Sequence, residues 1–375
     1  MKADSQGPAR YIMLGGFLGA GKTTAVAALG RYLEKQGLRV GLITNDQSTG
    51  LVDSAMLRAN GFSVEEIAGG CFCCRFDSLS EAADRLTRAS RPDVFIAEPV
   101  GSCTDLVATV SYPLRRIYGH RFSIAPLSVL VDPVRAERIL GLTKGRSFSE
   151  KVVYIYEKQL EEADFIIINK SDELSEERGR RLREALGTRF GRARIFTCSA
   201  RRGDGLEPWF HGVLEGSCSQ GATMELDYDR YAAGEALLGW LNCTVRLRAE
   251  PPVDGNRLLQ NLAGHIGDRL DHDGLEIAHL KMTLDSPDSG GCLAVVSLVG
   301  GGREPDLRES LLDMVERGTV ILNLRAEADP EFLKSLTEEA LAAAAASAGG
   351  LNLEIEHLEQ FRPARPVPTH RFTVA

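Results

Sequence analysis

The sequence predicts an α/β fold: a mainly parallel sheet covered by helices over residues 10–215, then a smaller α+β domain over 237–361. Three observations carry this. A glycine-rich loop, Gly15 to Thr24, lies between an apolar run (Tyr11–Leu14) and a helix-like segment (Ala25–Glu34). Short, wholly apolar runs then alternate with segments of helical spacing, the pattern of strands buried on both faces by crossover helices. Beyond a polar, aperiodic stretch beginning at Gly216, strands and helices follow one another in a different order.

In chain order, 39–44 and Val64–Ile67 read as the next strands, the second running into Gly69-Gly70 and a cysteine cluster. Ser78–Ala89 has helical spacing, with Leu79, Ala82, Ala83 and Leu86 on one face. Strands follow at 93–97, 127–131, 165–168 and 194–197. In a parallel sheet ligands gather at the carboxyl ends of the strands, and each motif below follows a strand there. A linker is expected at 216–236. Strands at 241–248, 277–284, 292–299, 320–326 and 351–358, with helices at 255–270, 307–316 and 330–346, suggest a ferredoxin-like order. The proline-rich tail at 362–375 is expected to be extended.

Composition excludes some roles. The formal net charge is −8 over 375 residues, which argues against broad nucleic-acid binding. No apolar run is long enough to cross a bilayer and the first ten residues lack a signal-like apolar core, so a cytoplasmic protein without membrane contact is expected. Cytosolic cysteines are more often free, catalytic or metal-bound than paired, and three of the eight here are Cys71, Cys73 and Cys74.

Gly16, four residues, then Gly21-Lys22-Thr23 is a phosphate-binding P-loop. The backbone from Gly16 through Gly19, Ala20 and Gly21 can turn its N–H groups toward phosphate oxygens at a helix N-terminus, with Thr24 behind. Lys22 is expected on the β- and γ-phosphates and Thr23 on Mg²⁺. Asn169-Lys170-Ser171-Asp172 follows an apolar strand and points to guanine. The Asp172 carboxylate can accept from guanine N1–H and the 2-amino group, whereas adenine would leave it unpaired. Lys170 would lie along the base and Asn169 would brace the P-loop. Asp172 as part of a solvated helix cap is the alternative. Ser199-Ala200 would bring a backbone N–H near the guanine carbonyl oxygen. Glu98-Pro-Val-Gly101 occupies the place of a γ-phosphate switch. There the Gly101 amide could meet phosphate, and Glu98 could bind Mg²⁺ through water or polarise the attacking water. Asp46 is the candidate for a further Mg²⁺ contact, and Gln47 for orienting water, with a plain loop role as its alternative.

Cys71, Cys73 and Cys74 can converge on one soft or borderline metal ion such as Zn²⁺, leaving a fourth position open. Arg75 would favour their thiolates. Buried structural thiols and a redox switch are the alternatives. Cys103 is a candidate fourth ligand in one nucleotide state, or a small core residue. His265, His272 and His279 recur at sevens but are read as unrelated, and Cys218, Cys243 and Cys292 as structural.

Together these residues resemble the metal-handling P-loop GTPases of the CobW, UreG and HypB family. Gly15–Thr24 and Gly69–Cys74 are most similar to the CobW branch, marked by a Cys-x-Cys-Cys loop. Thr44-Asn45-Asp46, Ser199-Ala200 and the 203–209 stretch are similar to UreG and HypB. The resemblance spans about residues 10–215. It implies GTP/GDP and Mg²⁺ binding, GTP hydrolysis of modest turnover, Zn²⁺, Co²⁺ or Ni²⁺ at the cysteines, delivery to a client metalloprotein, and a GTP-dependent homodimer. Turnover is expected to be slow without a partner, since no arginine is evidently placed as a finger. The chain departs from the family pattern in three ways. Asn45-Asp46 stands where Asn-Glu is usual, no histidine-rich tract is present, and the second half matches no recognised client-binding domain. The rival readings are a GTPase that loads or protects a cobalamin-dependent enzyme, and a non-catalytic zinc or redox sensor. A small-molecule kinase is disfavoured by Asn169–Asp172.

Overall fold

The computed structural model describes residues 7–45, 52–218, 223–287 and 289–374. The first unit runs β1 (Ala9–Gly16), α1 (Lys22–Lys35), β2 (Val40–Asn45), α2 (Val52–Ala59), β3 (Val64–Ile67), α3 (Phe76–Ser90) and β4 (Val94–Glu98). It continues through α4 (Tyr112–Tyr118), β5 (Phe122–Ile124), β6 (Ser128–Val131), α5 (Pro133–Ile139), α6 (Glu150–Glu162), β7 (Phe165–Ile168), α7 (Glu176–Arg189), β8 (Arg194–Thr197) and α8 (Leu206–Glu215). The sheet order is β3-β2-β4-β1-β6-β7-β8, with β5 also on β1, and its paired strands are parallel. β2, β4 and β6 are buried along their whole length, which explains why they read as continuous apolar runs.

The part of the expected linker beyond residue 227 forms α9 (Tyr228–Glu235), capped by Asp227 and packed on α6 with Tyr231 and Glu235 buried. The second unit follows: β9 (Gly239–Val253), α10 (Gly255–His272), β10 (Ile277–Asp285), β11 (Leu293–Leu298), β12 (Asp306–Glu309), β13 (Val315–Ala326), α11 (Pro330–Ser347) and β14 (Leu351–Phe361). Its antiparallel sheet has the order β12-β11-β10-β13-β9-β14. Without β11 and β12 this is the ferredoxin-like arrangement of two βαβ halves, to which the β11–β12 pair adds an extension beside β10.

One element differs from expectation. Residues 307–316 are not a helix, because 306–309 pair with β11 and Val315 already begins β13. Leu307, Leu311 and Val315 recur at fours, as on a helix, but strand pairing with a distant partner decides the local conformation. Leu312 and Met314 are exposed in the connection.

The apolar face of the second sheet, including Leu280, Met282, Val296, Leu322 and Leu324, packs under α10 and α11 in its own core. The opposite face carries His279, Lys281, Ser297 and Asn323, aligned across strands as Lys281↔Ser297 and Lys281↔Asn323. This polar face lies against the first unit. Buried Arg135 of α5 joins the two, donating to the carbonyls of Leu18, Ile277 (3.0 Å) and Ala278 (2.9 Å) between the rings of Phe17 and Phe148.

Candidate functional site

The loop between β1 and α1 needs its glycines. Gly16 has φ +130°, and a Cβ there would lie 2.4 Å from the Leu130 carbonyl oxygen. At Gly21, φ +89°, a Cβ would lie 2.4 Å from Asn169 Nδ2. Lys22 is buried, its Nζ donating to the Gly16 carbonyl at 2.9 Å; burial lowers its pKa although Glu98 and Asp53 oppose this. The Thr23 hydroxyl lies 2.8 Å from Asp53 Oδ1 and 3.0 Å from Glu98 Oε1. Burial, with Asp53 nearby, pushes the Glu98 carboxyl up to about 7. Glu98 Oε2 is buried without a hydrogen-bond partner among the described residues. A hydroxyl and two carboxylates, one of them with an orphaned oxygen, form a hard donor set that fits Mg²⁺.

Asp46 and Gln47 lie outside the described residues. Asp53, in the first turn of α2, was not singled out from sequence, because no motif marks it. Its place in the first turn of the helix that follows β2 was the available signal.

The polar face of the second sheet closes this cleft. His279, Lys281, Val295, Ser297, Val299 and Arg308 line it together with Gly19, Gly21, Lys22, Thr23, Thr24, Glu98 and Gly101. A Cβ on Gly19 would meet Val299 Cγ1 at 2.7 Å, so the two units pack closely at the loop. Lys281 Nζ lies 2.5 and 2.8 Å from the two Asp53 carboxylate oxygens. These contacts join residues more than two hundred positions apart, and no local pattern announces them. His279 is here, apart from His265, which lies along a groove between α10 and α11, and exposed His272.

At the other end, Asn169 Nδ2 donates to the Ala20 carbonyl at 2.9 Å and its Oδ1 accepts from the Ala200 N–H at 3.0 Å. The Ala200 amide is thus engaged with Asn169. Lys170, φ +53°, donates to Asp132 Oδ2 at 2.7 Å. Burial raises the Asp132 carboxyl, but Lys170, Arg303 and Arg135 outweigh it and hold the group well below the usual range. Asp172 sits on an exposed rim beside Ser199 and 3.6 Å from Arg202. Helix α7 is capped instead by Ser175, whose Oγ accepts from the Arg178 N–H. A small cavity is lined by Gly21, Asn169, Lys170, Asp172, Ser199, Ala200 and Arg308.

The 71–75 turn closes with the Cys74 and Arg75 N–H groups donating to the Cys71 carbonyl at 3.0 and 2.9 Å. The sulfurs of Cys71, Cys73 and Cys74 all lie within 4.8 Å of one another. Cys71 and Cys74 Sγ are 3.2 Å apart, Cys73 and Cys74 3.7 Å. Hydrogen bonds from Cys103, then Cys73 and Cys74, hold the Cys71 thiol well below its ordinary pKa, while burial pushes Cys103 up. Arg75 was expected to favour the thiolates, but its Nε donates to the Gly69 carbonyl at 3.1 Å and the neighbouring thiols produce the shift. The thiols are buried yet face one another, a soft donor set that suits Zn²⁺.

Two short paths join the centres. Asn45 Nδ2, at the end of β2, donates to the carbonyls of Ile67 (3.0 Å) and Gly70 (2.7 Å). Gly101 packs on Leu18 of the P-loop, and Gln159 Nε2 ties the carbonyls of Gly101 and Cys103 together at 2.9 and 2.8 Å.

The tail also reaches the cysteines. Val367 N–H donates to Cys74 Sγ at 3.2 Å, Thr369 N–H to the Cys73 carbonyl at 2.8 Å, and Arg371 pairs with buried Asp105 at 2.7 Å. Deleting residues 363–375 is expected to raise the alkylation rate of Cys74 by iodoacetamide about tenfold, since only half-buried Cys74 lies directly under the strap. Peptide mass spectrometry reads this, with Cys73 as the internal reference.

Residues 10–196 match the family described as CobW/HypB/UreG, nucleotide-binding domain. The chain is 28% identical over 171 residues to the zinc chaperone YeiR of Escherichia coli, covering 45% of this chain and 48% of that one. It is 27% identical over 210 residues to the zinc chaperone CobW of a Sinorhizobium species, covering 50% and 58%. The chain thus spans about half the length of these curated relatives. The crystal structure of Zn(II)-bound YjiA GTPase from E. coli aligns at 17% identity over 89% of this chain and 99% of that one, with a TM-score of 0.40. Among the described residues no helix is long and apolar enough to cross a membrane. Through its nucleotide-binding domain, with the P-loop and Cys-x-Cys-Cys loop in place, the chain belongs to the CobW/HypB/UreG family of metal-handling P-loop GTPases.

Proposed function

We propose that the protein binds and slowly hydrolyses GTP, carries a transition metal ion on Cys71, Cys73 and Cys74, and passes it to a client metalloprotein. The observation that carries this reading is the convergence of the Cys71, Cys73 and Cys74 sulfurs within 4.8 Å of one another, beside a switch segment whose Gly101 and Cys103 carbonyls are tied together by Gln159 and whose Gly101 lines the phosphate cleft. Zn²⁺ is the preferred cargo, in keeping with the sulfur donor set and with the zinc-chaperone relatives.

Lys22 and the P-loop amides hold the phosphates, and Asp172 selects guanine with Asn169 bracing the loop. Thr23, Asp53 and Glu98 would hold Mg²⁺, which would neutralise charge on the phosphates. Beside Thr23 in the cleft, Glu98 would act on that ion through water or polarise the attacking water. Movement of Gly101 shifts Cys103 toward or away from the other three thiols. In one nucleotide state Cys103 becomes the fourth ligand, and in the other the ion keeps an open position from which a client can take it. Homodimerisation on GTP would belong to the same cycle.

The test is a Zn²⁺ titration of the wild type, Cys73→Ser and Cys103→Ala, each with GDP and with a non-hydrolysable GTP analogue. We expect Cys73→Ser to lose about 100-fold or more in Zn²⁺ affinity with GTP binding intact, as a lost thiolate ligand implies. Cys103→Ala is expected to bind Zn²⁺ with one affinity whichever nucleotide is present. A wild type with the same Zn²⁺ affinity in both states would refute the coupling.

A further inference from the structure

The helix-free face of a ferredoxin-like sheet is ordinarily open to solvent or a partner. Here it is polar and shuts over the phosphate cleft, and one of its residues reaches the Thr23 end. Lys281 points from the middle of β10 to Asp53, and the same Asp53 oxygen receives the Thr23 hydroxyl. Lys281 also lies near enough to Lys22 for each ammonium to feel the other's charge.

We propose that Lys281 is a nucleotide-contacting cation supplied by the second domain, which binds a terminal phosphate oxygen of GTP and stabilises charge there during hydrolysis. The inference rests on the GTPase reading given above and adds a residue from outside the nucleotide-binding domain. Charge and position support it. Asp53 belongs to the oxygen set that fits a divalent cation, and a carboxylate that turns to such an ion no longer neutralises the ammonium. Lys281 would then carry three N–H donors into a cleft where phosphate oxygens are the unpaired acceptors. Asp172, the guanine-selecting residue of that reading, lines the opposite end, so Lys281 stands at the terminal phosphate rather than at the ribose. A lysine on a sheet strand is also more rigidly presented than one on a loop. GTP would therefore hold the two domains closed through this residue, whereas GDP would leave the ammonium with Asp53.

The experiment compares wild type, Lys281→Ala and Lys281→Arg for Mg²⁺-dependent affinity toward GDP and a non-hydrolysable GTP analogue, for kcat and KM with GTP, and for thermal melting. In Lys281→Ala, affinity for the analogue is expected to fall about 10- to 100-fold, the range for a lost charge-assisted hydrogen bond. GDP affinity should stay within about threefold, and kcat should fall about as much as analogue affinity, with Lys281→Arg recovering most of both. In the wild type, amine acylation of Lys281 should be slower with the analogue than with GDP, a readout that needs no variant. Equal losses for both nucleotides, or no loss, with Lys281 acylated equally in both states, would overturn the inference. A wild type that binds neither guanine nucleotide would overturn the GTPase reading itself.

Discussion

Asp172→Asn is expected to lower GTP affinity roughly 100- to 1,000-fold while leaving the melting temperature unchanged. The carboxamide oxygen can still accept from guanine N1–H, but without the charge. The bond from the 2-amino group, of the charge-assisted kind that contributes about 1.5–3 kcal/mol, is lost, and a donor faces a donor in its place. The fold should not respond, because Asp172 sits on an exposed rim and its 3.6 Å pair with Arg202 is a surface interaction of little net effect. The same variant should gain affinity for xanthosine triphosphate, since a carboxamide can donate to the xanthine 2-oxo group while accepting from N1–H. Fluorescence titration with both nucleotides checks this. If both fall together, Asp172 shapes the cavity without reading the base. The capping alternative for Asp172 is already answered by Ser175, which caps α7.

Arg135→Met should destabilise the protein by about 3–5 kcal/mol. The guanidinium is buried and donates to the carbonyls of Leu18, Ile277 and Ala278, which the variant leaves without this donor. Each stranded acceptor costs about 1–3 kcal/mol, less whatever relaxation recovers. Methionine fills similar volume and keeps contact with Phe17 and Phe148, so the loss isolates the polar contribution. Urea unfolding followed by intrinsic fluorescence is expected to separate into two transitions, because Arg135 joins the P-loop to the start of β10. A single transition at unchanged midpoint would show that the domains are held by their other contacts, such as Arg201–Asp306.

Much of the site was legible because its chemistry is written in contiguous residues. The P-loop glycines, Asn169–Asp172 and the cysteine turn are each local, and their backbone requirements appear as residue type: glycine where φ is positive, and asparagine where one side chain must serve two loops. The parallel sheet was readable for a similar reason, since strands covered on both faces are apolar throughout. The reading of 307–316 as a helix failed because its apolar residues recur at fours, and pairing with β11 is a fact of register rather than of composition. Asp53 and Lys281 went unnoticed because acids and lysines are common on surfaces and nothing adjacent distinguishes these two. His279 was seen but set aside, being judged by its spacing to other histidines.

Sequence alone therefore determined the nucleotide class, the thiol cluster and the parallel character of the first sheet, each a matter of residues close in the chain with strict local needs. Tertiary structure alone decided that α9 packs on α6, that the tail crosses Cys74, and that the polar face of the second sheet roofs the phosphate cleft. Those arrangements depend on which buried surfaces fit and which charges must be neutralised across long separations. Lys281 and Asp53, 228 positions apart, meet because the two sheets pack together here, with Arg135 among the contacts that join them.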